Sequence, residues 1–183
     1  MSHRASFAEL VSDLAAKYAL SDDRKLLTVK KQVNYYAVPL VGHGLSHGAW
    51  AIDFRFEGGD ARAAWLIGFA AMPVAGCTYN SPTVWSIASC SGLSGIYSRG
   101  TESSNPIITK PSAGAVYSLD MDAGTCSVAV NGVDMGVSFR CLQGLTLWPA
   151  VFMYYAGDRM RIVSVTCLTA VWMRSRGATR RSR

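Results

Sequence analysis

Residues 114–139 read GAVYSLDMDAGTCSVAVNGVDMGVSF, and this stretch decides the fold. Two strand-like segments, GAVYSLDMD and TCSVAVN, flank the turn DAG, which predicts a hairpin. The dipeptide Asn131-Gly132 comes next, and Asn-Gly is a strong hairpin signal because both residues tolerate a positive φ. MGVSF at 135–139 supplies the following strand. The stretch therefore predicts three consecutive antiparallel strands.

The rest of the chain shows the same pattern from about residue 26 onward. Short apolar or alternating runs are separated by turns, with a period of two rather than 3.6. The other predicted strands are LLTVKKQV, NYYAVPLV, WAIDFRF, AAWLIGFAA, LWPAVFMYY and MRIVSVTCL, and EGGD at 57–60 predicts a hairpin after WAIDFRF. Many short strands with regular turns predict an all-β antiparallel sandwich or barrel. No helices alternate with them, which excludes a doubly wound α/β sheet.

The N-terminal segment has helical spacing instead. Apolar residues at one helical face predict an amphipathic α-helix of about four turns, capped by Ser6; they are Phe7, Leu10, Val11, Leu14, Ala15 and Tyr18. This face either packs on the domain or docks on a partner. The predicted organisation is a helix with its linker at 1–25, a β-sandwich at 26–170 and a basic tail at 171–183.

The pentapeptide GLSHG at 44–48 matches G-x-S-x-G, the nucleophile elbow of many hydrolases. An elbow needs a helix after the serine, whereas Ser46 precedes the predicted strand WAIDFRF. His47 is also the last histidine of the chain, although the triad histidine of α/β-hydrolases follows the serine. We therefore interpret GLSHG as a turn that leads into a core strand. An enzymatic function would need a hydrolase activity that Ser46→Ala removes.

Charge is concentrated at the C-terminus. The 183 residues carry a net charge of +6, and the last ten contain five arginines and no acid: Arg174, Arg176, Arg180, Arg181 and Arg183. Without them the chain has 13 basic and 12 acidic residues, so the body is nearly neutral. Such a tail is either a disordered, solubilising end or a contact for nucleic acid, acidic protein or membrane surface.

Cysteine usage points to a reducing compartment. The five cysteines are an odd number without a C-x-x-C pair, and no histidine stands at zinc-ligand spacing from any of them. No metal or cofactor is expected. The N-terminus lacks a signal-peptide pattern, and the longest apolar run, at 63–76, is too short for a membrane helix. We expect an intracellular, cytoplasmic protein without a membrane partner.

Five pieces of the sequence resemble the SPRY-domain family. GLSHGAWAIDF is similar to the turn and strand of its Tyr-Trp-Glu-Val region, with Ala51 in place of the Glu, and WLIGFA is similar to its Trp-x-Val-Gly-Val-Ala strand. Within 114–139 the family has spaced glycines, a Leu-Asp pair and an Asn-Gly pair. The residues that match them here are Gly114, Leu119, Asp120, Gly124, Asn131 and Gly132. Val128 stands where the family has a Phe. LWPAV and DRMRI match the last two strands. The resemblance covers about residues 26–166.

The resemblance implies a SPRY-like sandwich of concanavalin-like topology with a non-enzymatic, protein-binding function. Trp50, Trp65 and Trp85 would then point inward, and Asp120 would hydrogen-bond its turn. Carried over to this chain, the family's peptide-binding loops place a partner-binding patch at one end of the sandwich. Its residues are Tyr155 as the main anchor, Ala156, Tyr154, Thr78, Tyr79, Tyr97 and Arg99.

Two non-enzymatic functions remain open. The first is an adaptor, scaffold or subunit of a larger assembly that binds a protein or peptide. The second is a structural subunit of a ribonucleoprotein whose arginine tail contacts RNA phosphates. Deleting residues 174–183 separates the two functions. RNA binding would be sensitive to salt and would be lost in the deletion, whereas an adaptor would still capture its partner.

Overall fold

The computed structural model describes residues 2–3, 6–7, 12–32, 34, 38–41, 44–57, 65–71, 77–90, 93–99, 101–104 and 114–168. Their backbone forms short strands and one helical turn. In chain order these are β1 (Ser2–His3), β2 (Ser6–Phe7), α1 (Ser12–Ala15), β3 (Tyr18–Leu20), β4 (Leu26–Val29), β5 (Val38–Val41), β6 (Ala49–Phe56), β7 (Trp65–Ala71), β8 (Val84–Cys90), β9 (Leu93–Ser98), β10 (Thr101–Ser104), β11 (Gly114–Asp120), β12 (Thr125–Val130), β13 (Val133–Phe139), β14 (Leu147–Met153) and β15 (Arg159–Cys167).

The strands form two antiparallel sheets that pack as a sandwich. The first sheet has the order β13-β12-β11-β6-β15-β4-β3, with β1 beside β15. The second has the order β10-β9-β8-β7-β14-β5-β2. The all-β antiparallel sandwich predicted from the sequence is confirmed.

The two predicted hairpins of residues 114–139 are also confirmed. β11 pairs with β12, and β12 pairs with β13. Asn131 and Gly132 have φ angles of 50° and 78°, as the Asn-Gly turn requires. Asp120 accepts a hydrogen bond from the backbone N–H of Ala123 at 2.8 Å, so its predicted role in the first turn is confirmed.

The core lies between the sheets and is tied together by Tyr117. Its hydroxyl donates across the sandwich to the carbonyl of Ile67 at 2.5 Å, and its ring meets Phe54 and Phe69 edge-on. Burial raises the pKa of Tyr117 well above its ordinary value. Trp65 and Trp85 are buried as predicted, whereas Trp50 is only half-buried at the margin of this core.

The second sheet is apolar on both faces. A separate buried cluster lies on the face turned away from Tyr117; its strand residues are Leu66, Ala70, Val84, Ala88, Tyr97, Ala150 and Phe152. This double burial explains why β7 is a continuous apolar run instead of an alternating one.

The predicted four-turn N-terminal helix is wrong in its extent. Among the described residues the helix comprises the single turn Ser12–Ala15, and residues 8–11 lie outside them. Ser6 lies in β2, so it does not cap that helix. Phe7 pairs with Leu40 in the second sheet, and Tyr18 pairs with Val29 in the first. Both side chains are fully buried. Strand pairing in two different sheets, and not the helical spacing of the apolar residues, therefore determines the conformation at these two positions. The division of the chain at residues 26 and 170 stays a prediction.

The predicted hairpin at EGGD is wrong as well. Residues 58–60 lie outside the described residues, but the strands on either side belong to different sheets. β6 pairs with β11 and β15, whereas β7 pairs with β8 and β14. Local turn chemistry does not reveal that the chain changes sheets between β6 and β7.

At Gly68 in β7 the backbone of β8 leaves no room for a side chain. A Cβ atom there would lie 1.9 Å from the carbonyl oxygen of Trp85 and 2.6 Å from the Cα of Ser86. Both atoms are backbone, so they cannot rotate away as a side chain would. We expect Gly68→Ala to lower the free energy of unfolding by about 1–3 kcal/mol in urea titrations. Ser118→Ala on the exposed face of β11 is the control, with an expected change within about 0.5 kcal/mol; equal stability of both variants would contradict this.

Two free thiols should differ sharply in reactivity. Cys126 is buried in β12, and burial raises its pKa to about 12, whereas Cys141 is exposed after β13. Because the thiolate is the reactive form, iodoacetamide near pH 8 should alkylate Cys141 in the native protein and Cys126 only after unfolding. Mass spectrometry of the digested protein measures both rates. Alkylation of Cys126 at the rate of Cys141 would show that the core is open.

Candidate functional site

Residues 154–158, here called the crossing turn, carry the chain from β14 in the second sheet to β15 in the first. The sequence of the turn is Tyr-Tyr-Ala-Gly-Asp. Gly157 has a φ of 91°, a left-handed conformation that favours glycine. Asp158 is 1% exposed, one of two buried polar or charged residues in the described part of the chain.

Backbone and carboxylate hydrogen bonds fix the crossing turn. The N–H of Asp158 donates to the carbonyl of Tyr155 at 3.1 Å, and the N–H of Tyr155 donates to Oδ2 of Asp158 at 3.3 Å. From the neighbouring strand, Val29 accepts from the N–H of Gly157 and donates to the carbonyl of Asp158, both at 2.9 Å. The turn is thus held from inside and from β4.

Tyr154, Tyr155 and Ala156 form an aromatic surface on this turn, here called the tyrosine platform. The two rings meet edge-to-face with centroids 4.9 Å apart. Nε2 of Gln32 donates to the hydroxyl of Tyr154 at 2.5 Å. Both tyrosines are half-buried and Ala156 is exposed. Rings held in place in this way can contact an apolar side chain and still form hydrogen bonds.

The other four predicted patch residues lie around the start of β8. The rings of Tyr79 and Tyr97 meet edge-to-face at 5.2 Å, but Tyr97 is only 3% exposed. Thr78 belongs to a local turn, in which its hydroxyl contacts Asn80 at 2.5 Å and its N–H donates to Ser81 at 3.0 Å. Arg99 is exposed, and its guanidinium lies 6.0 Å from the Trp85 ring.

The structure does not bring these two groups together into one patch. In the second sheet Met153, next to the platform, pairs with Trp65 at the start of β7. Leu147, at the other end of β14, pairs with Ala71, which in turn is bonded to Thr83 in the loop that carries Thr78 and Tyr79. The length of β14 separates the two ends by about 20 Å. The predicted patch thus comprises two separate surfaces, and partner binding at either stays a prediction.

Sequence reasoning missed the residues that hold the platform. Val29 is the last residue of β4 and Gln32 lies shortly after it, 122 positions away from Tyr154 in the chain. No local pattern connects positions so far apart. For Asp158 the sequence indicates a turn, because aspartate and glycine are typical of turns. Its burial could not be predicted, because it depends on the packing of both sheets.

Sequence comparisons with known proteins give no match, because neither a family model nor a curated protein matches this chain. Comparison of structures does. The SPRY domain of human HERC1 superposes with a TM-score of 0.61 at 19% identity, covering 80% of this chain and 92% of that domain. The TRIM65 PSpry domain gives 0.66 at 12% identity, covering 86% and 90%. The chain has the SPRY fold.

A toxin contains the same fold as part of a longer chain. A stonustoxin structure matches with a TM-score of 0.61 and 14% identity over 80% of this chain, which corresponds to 27% of the toxin chain. The resemblance in five pieces of sequence is therefore confirmed for the fold. At identities this low, the match carries no residue roles to this chain.

Within the SPRY fold, GLSHG is a turn tied to the hairpin at residues 121–124. The N–H of Gly48 donates to Oδ1 of Asp122 at 3.0 Å, and Met121 donates to the carbonyl of Gly48 at 3.0 Å. β6 begins at the next residue, so the prediction of a strand after Ser46 is confirmed. Oγ of Ser46 lies 3.1 Å from Nδ1 of His47, and both side chains are exposed. Comparing the hydrolase activity of the wild-type protein with that of Ser46→Ala therefore remains an informative test of an enzymatic function.

The arginine tail, from Arg174 to Arg183, lies outside the described residues, so RNA binding through it stays a prediction. Among the described residues there is no group of three or more His, Cys, Asp or Glu side chains that could hold a metal ion. In the same part of the chain no helix is long and apolar enough to cross a membrane.

We expect the buried carboxylate of Asp158 to stabilise the crossing turn. Asp158→Ala leaves the Tyr155 N–H without this acceptor and should lower the free energy of unfolding by about 1–3 kcal/mol. Asp158→Asn keeps one acceptor oxygen and should lose less. The control is Asp134→Ala, which removes a carboxylate bonded to Gly136 in an exposed turn. Chemical denaturation measures all three, and equal losses for Asp158→Ala and Asp134→Ala would contradict the role of Asp158.

Proposed function

We propose that this protein is a non-enzymatic interaction module that binds a peptide segment of a partner protein on the tyrosine platform. The observation that carries the proposal is a preformed aromatic surface at one end of the sandwich. Tyr154 and Tyr155 lie on a turn with fixed backbone and next to an exposed small residue, Ala156. The SPRY fold agrees with such a function, since the resemblance implies a protein-binding surface built from loops.

Rigidity supports binding because a fixed surface loses little conformational freedom when a partner arrives. The crossing turn already has its hydrogen bonds in the unbound chain. Tyrosine contributes a large contact area with few rotatable bonds, which is why it is frequent at interface hot spots. Ala156 leaves space beside the rings for a side chain of the partner.

The platform is favoured over the surface at the start of β8. Tyr97 is almost fully buried, so most of its ring packs on Tyr79 and the second sheet instead of facing solvent. Thr78 is engaged in its own turn. Of that group, Arg99 is the exposed member in the structure, and a single arginine is a weaker anchor than two ordered rings.

We further propose that the module acts inside the cell as an adaptor or as a subunit of a larger assembly. Cys126 and Cys141 carry free thiols, which is typical of a reducing compartment.

Truncation of the main anchor tests this function. Tyr155→Ala should weaken capture of the native partner from cell extract by about 30-fold, as expected for a hot-spot residue that contributes about 2 kcal/mol. Ala156→Gln should weaken it too, because it fills the space beside the rings without altering the core. Binding is quantified afterwards with the purified partner by calorimetry, after equal melting temperatures have been established.

The matched control is Tyr79→Ala, which removes a half-buried tyrosine of the other surface. It should leave the partner bound. Loss of the partner in Tyr79→Ala with retention in Tyr155→Ala would place the binding surface at the opposite end of β14. Retention in both would exclude both surfaces.

A further inference from the structure

The end of β4 places basic residues beside the tyrosine platform. Val29 is hydrogen-bonded to Gly157 and Asp158, and Gln32 is hydrogen-bonded to Tyr154. Lys30 and Lys31 lie between these two contacts in the chain and are exposed. Two attachment points thus hold this segment against the edge of the crossing turn. The ammonium of Lys30 donates to the carbonyl of Ala15 at 2.9 Å, so Lys31 is the lysine considered below.

Arg159 adds a third basic residue on the other side of the turn. It follows Asp158 directly, is exposed, and donates from Nε to the backbone carbonyl of Glu57 at 2.7 Å. This bond orients the guanidinium without neutralising it, because a carbonyl carries no net charge. Basic residues therefore come to the crossing turn from two segments, the one that follows β4 and the start of β15.

The two acids that contact this region are already engaged. Asp158 is buried and accepts from Tyr155 within the turn. Glu57 is held by Arg161 through an ion pair that includes Nη2 and Oε2 at 3.3 Å, and the hydrogen bond from Arg161 lowers the pKa of Glu57. Glu57 thus pairs mainly with Arg161, the nearby charge of Arg159 lowers its pKa further, and Lys31 and Arg159 are both exposed.

We propose that the platform takes an acidic peptide, in which an apolar residue contacts Tyr154 and Tyr155 while flanking carboxylates pair with Lys31 and Arg159. This inference rests on the proposed function and names the chemistry of its partner. Exposed ion pairs contribute little to the binding free energy, so the rings supply most of it. The charges determine which peptide segment is bound. Binding should weaken as salt rises, because such pairs are screened.

Three pools of labelled peptides test the inference with the full chain. Each peptide has a randomised apolar centre, and the flanking residues are Asp and Glu, Ser and Asn, or Lys and Arg. Fluorescence anisotropy should show the acidic pool binding about 10-fold more tightly than the neutral pool at low salt. Lys31→Glu should weaken the acidic pool about 5-fold and leave the neutral pool unchanged. The charge-matched control is Arg140→Glu, exposed at the other end of the sandwich, which should change neither.

Tyr155→Ala separates this inference from the proposed function. Loss of both the neutral and the acidic pools in Tyr155→Ala supports the platform as the binding surface. If the wild-type protein binds the acidic pool no better than the neutral one, or if Lys31→Glu has no effect, the preference for an acidic peptide is contradicted. The proposal that the platform binds a peptide is then unaffected. Acidic binding that depends on Lys31 and not on Tyr155, or no binding by any pool, overturns the inference.

Discussion

The hydrogen bond between the buried Asp158 carboxylate and the Tyr155 backbone determines how the chain passes from one sheet to the other. Five residues must turn the backbone while its polar groups leave water, and buried polar groups are costly unless paired. Asp158 satisfies one donor, and Val29 of β4 satisfies a further donor and acceptor. The crossing turn, the end of β4 and the starts of β15 and its neighbours therefore form as one unit.

The position of the tyrosine platform follows from this constraint. Since hydrogen bonds fix the backbone of the turn, Tyr154 and Tyr155 leave it in fixed directions, and Gln32 in the segment after β4 orients the first ring further. The same segment carries the exposed Lys31, which precedes Gln32 in the chain. Shape and charge at this end thus have a common origin in the pairing of β4 with the crossing turn, which links the fold to the proposed binding of a partner.

The sequence predicted strands in both sheets, including the edge strand β13, but it predicted neither β8, which lies at the centre of the second sheet, nor the short strands of the N-terminal segment. The five pieces that resemble SPRY domains became β6, β7, β11–β13, β14 and β15, where close packing restricts residue choice; Gly68 is an example, because a Cβ would meet the backbone of β8. The prediction of a long N-terminal helix was wrong because Phe7 and Tyr18 lie in strands of different sheets. For the candidate site, Tyr155 and Ala156 were predicted from the resemblance and stay predictions, whereas Asp158 and Gln32 take part through contacts that no local pattern contains. The separation of Tyr79 from Tyr155 likewise depends on strand register, which no local pattern contains.

Amide hydrogen exchange measured by NMR on the unbound protein tests the central claim most directly. If the crossing turn is preformed, the amides of Tyr155 and Gly157 should exchange at rates close to those of the paired strands β14 and β15, because both donate hydrogen bonds within the folded chain. Exchange of these two amides at the rate of an unstructured peptide, while the strands remain protected, would show that the turn is not fixed before a partner binds. The account of a rigid platform would then be contradicted.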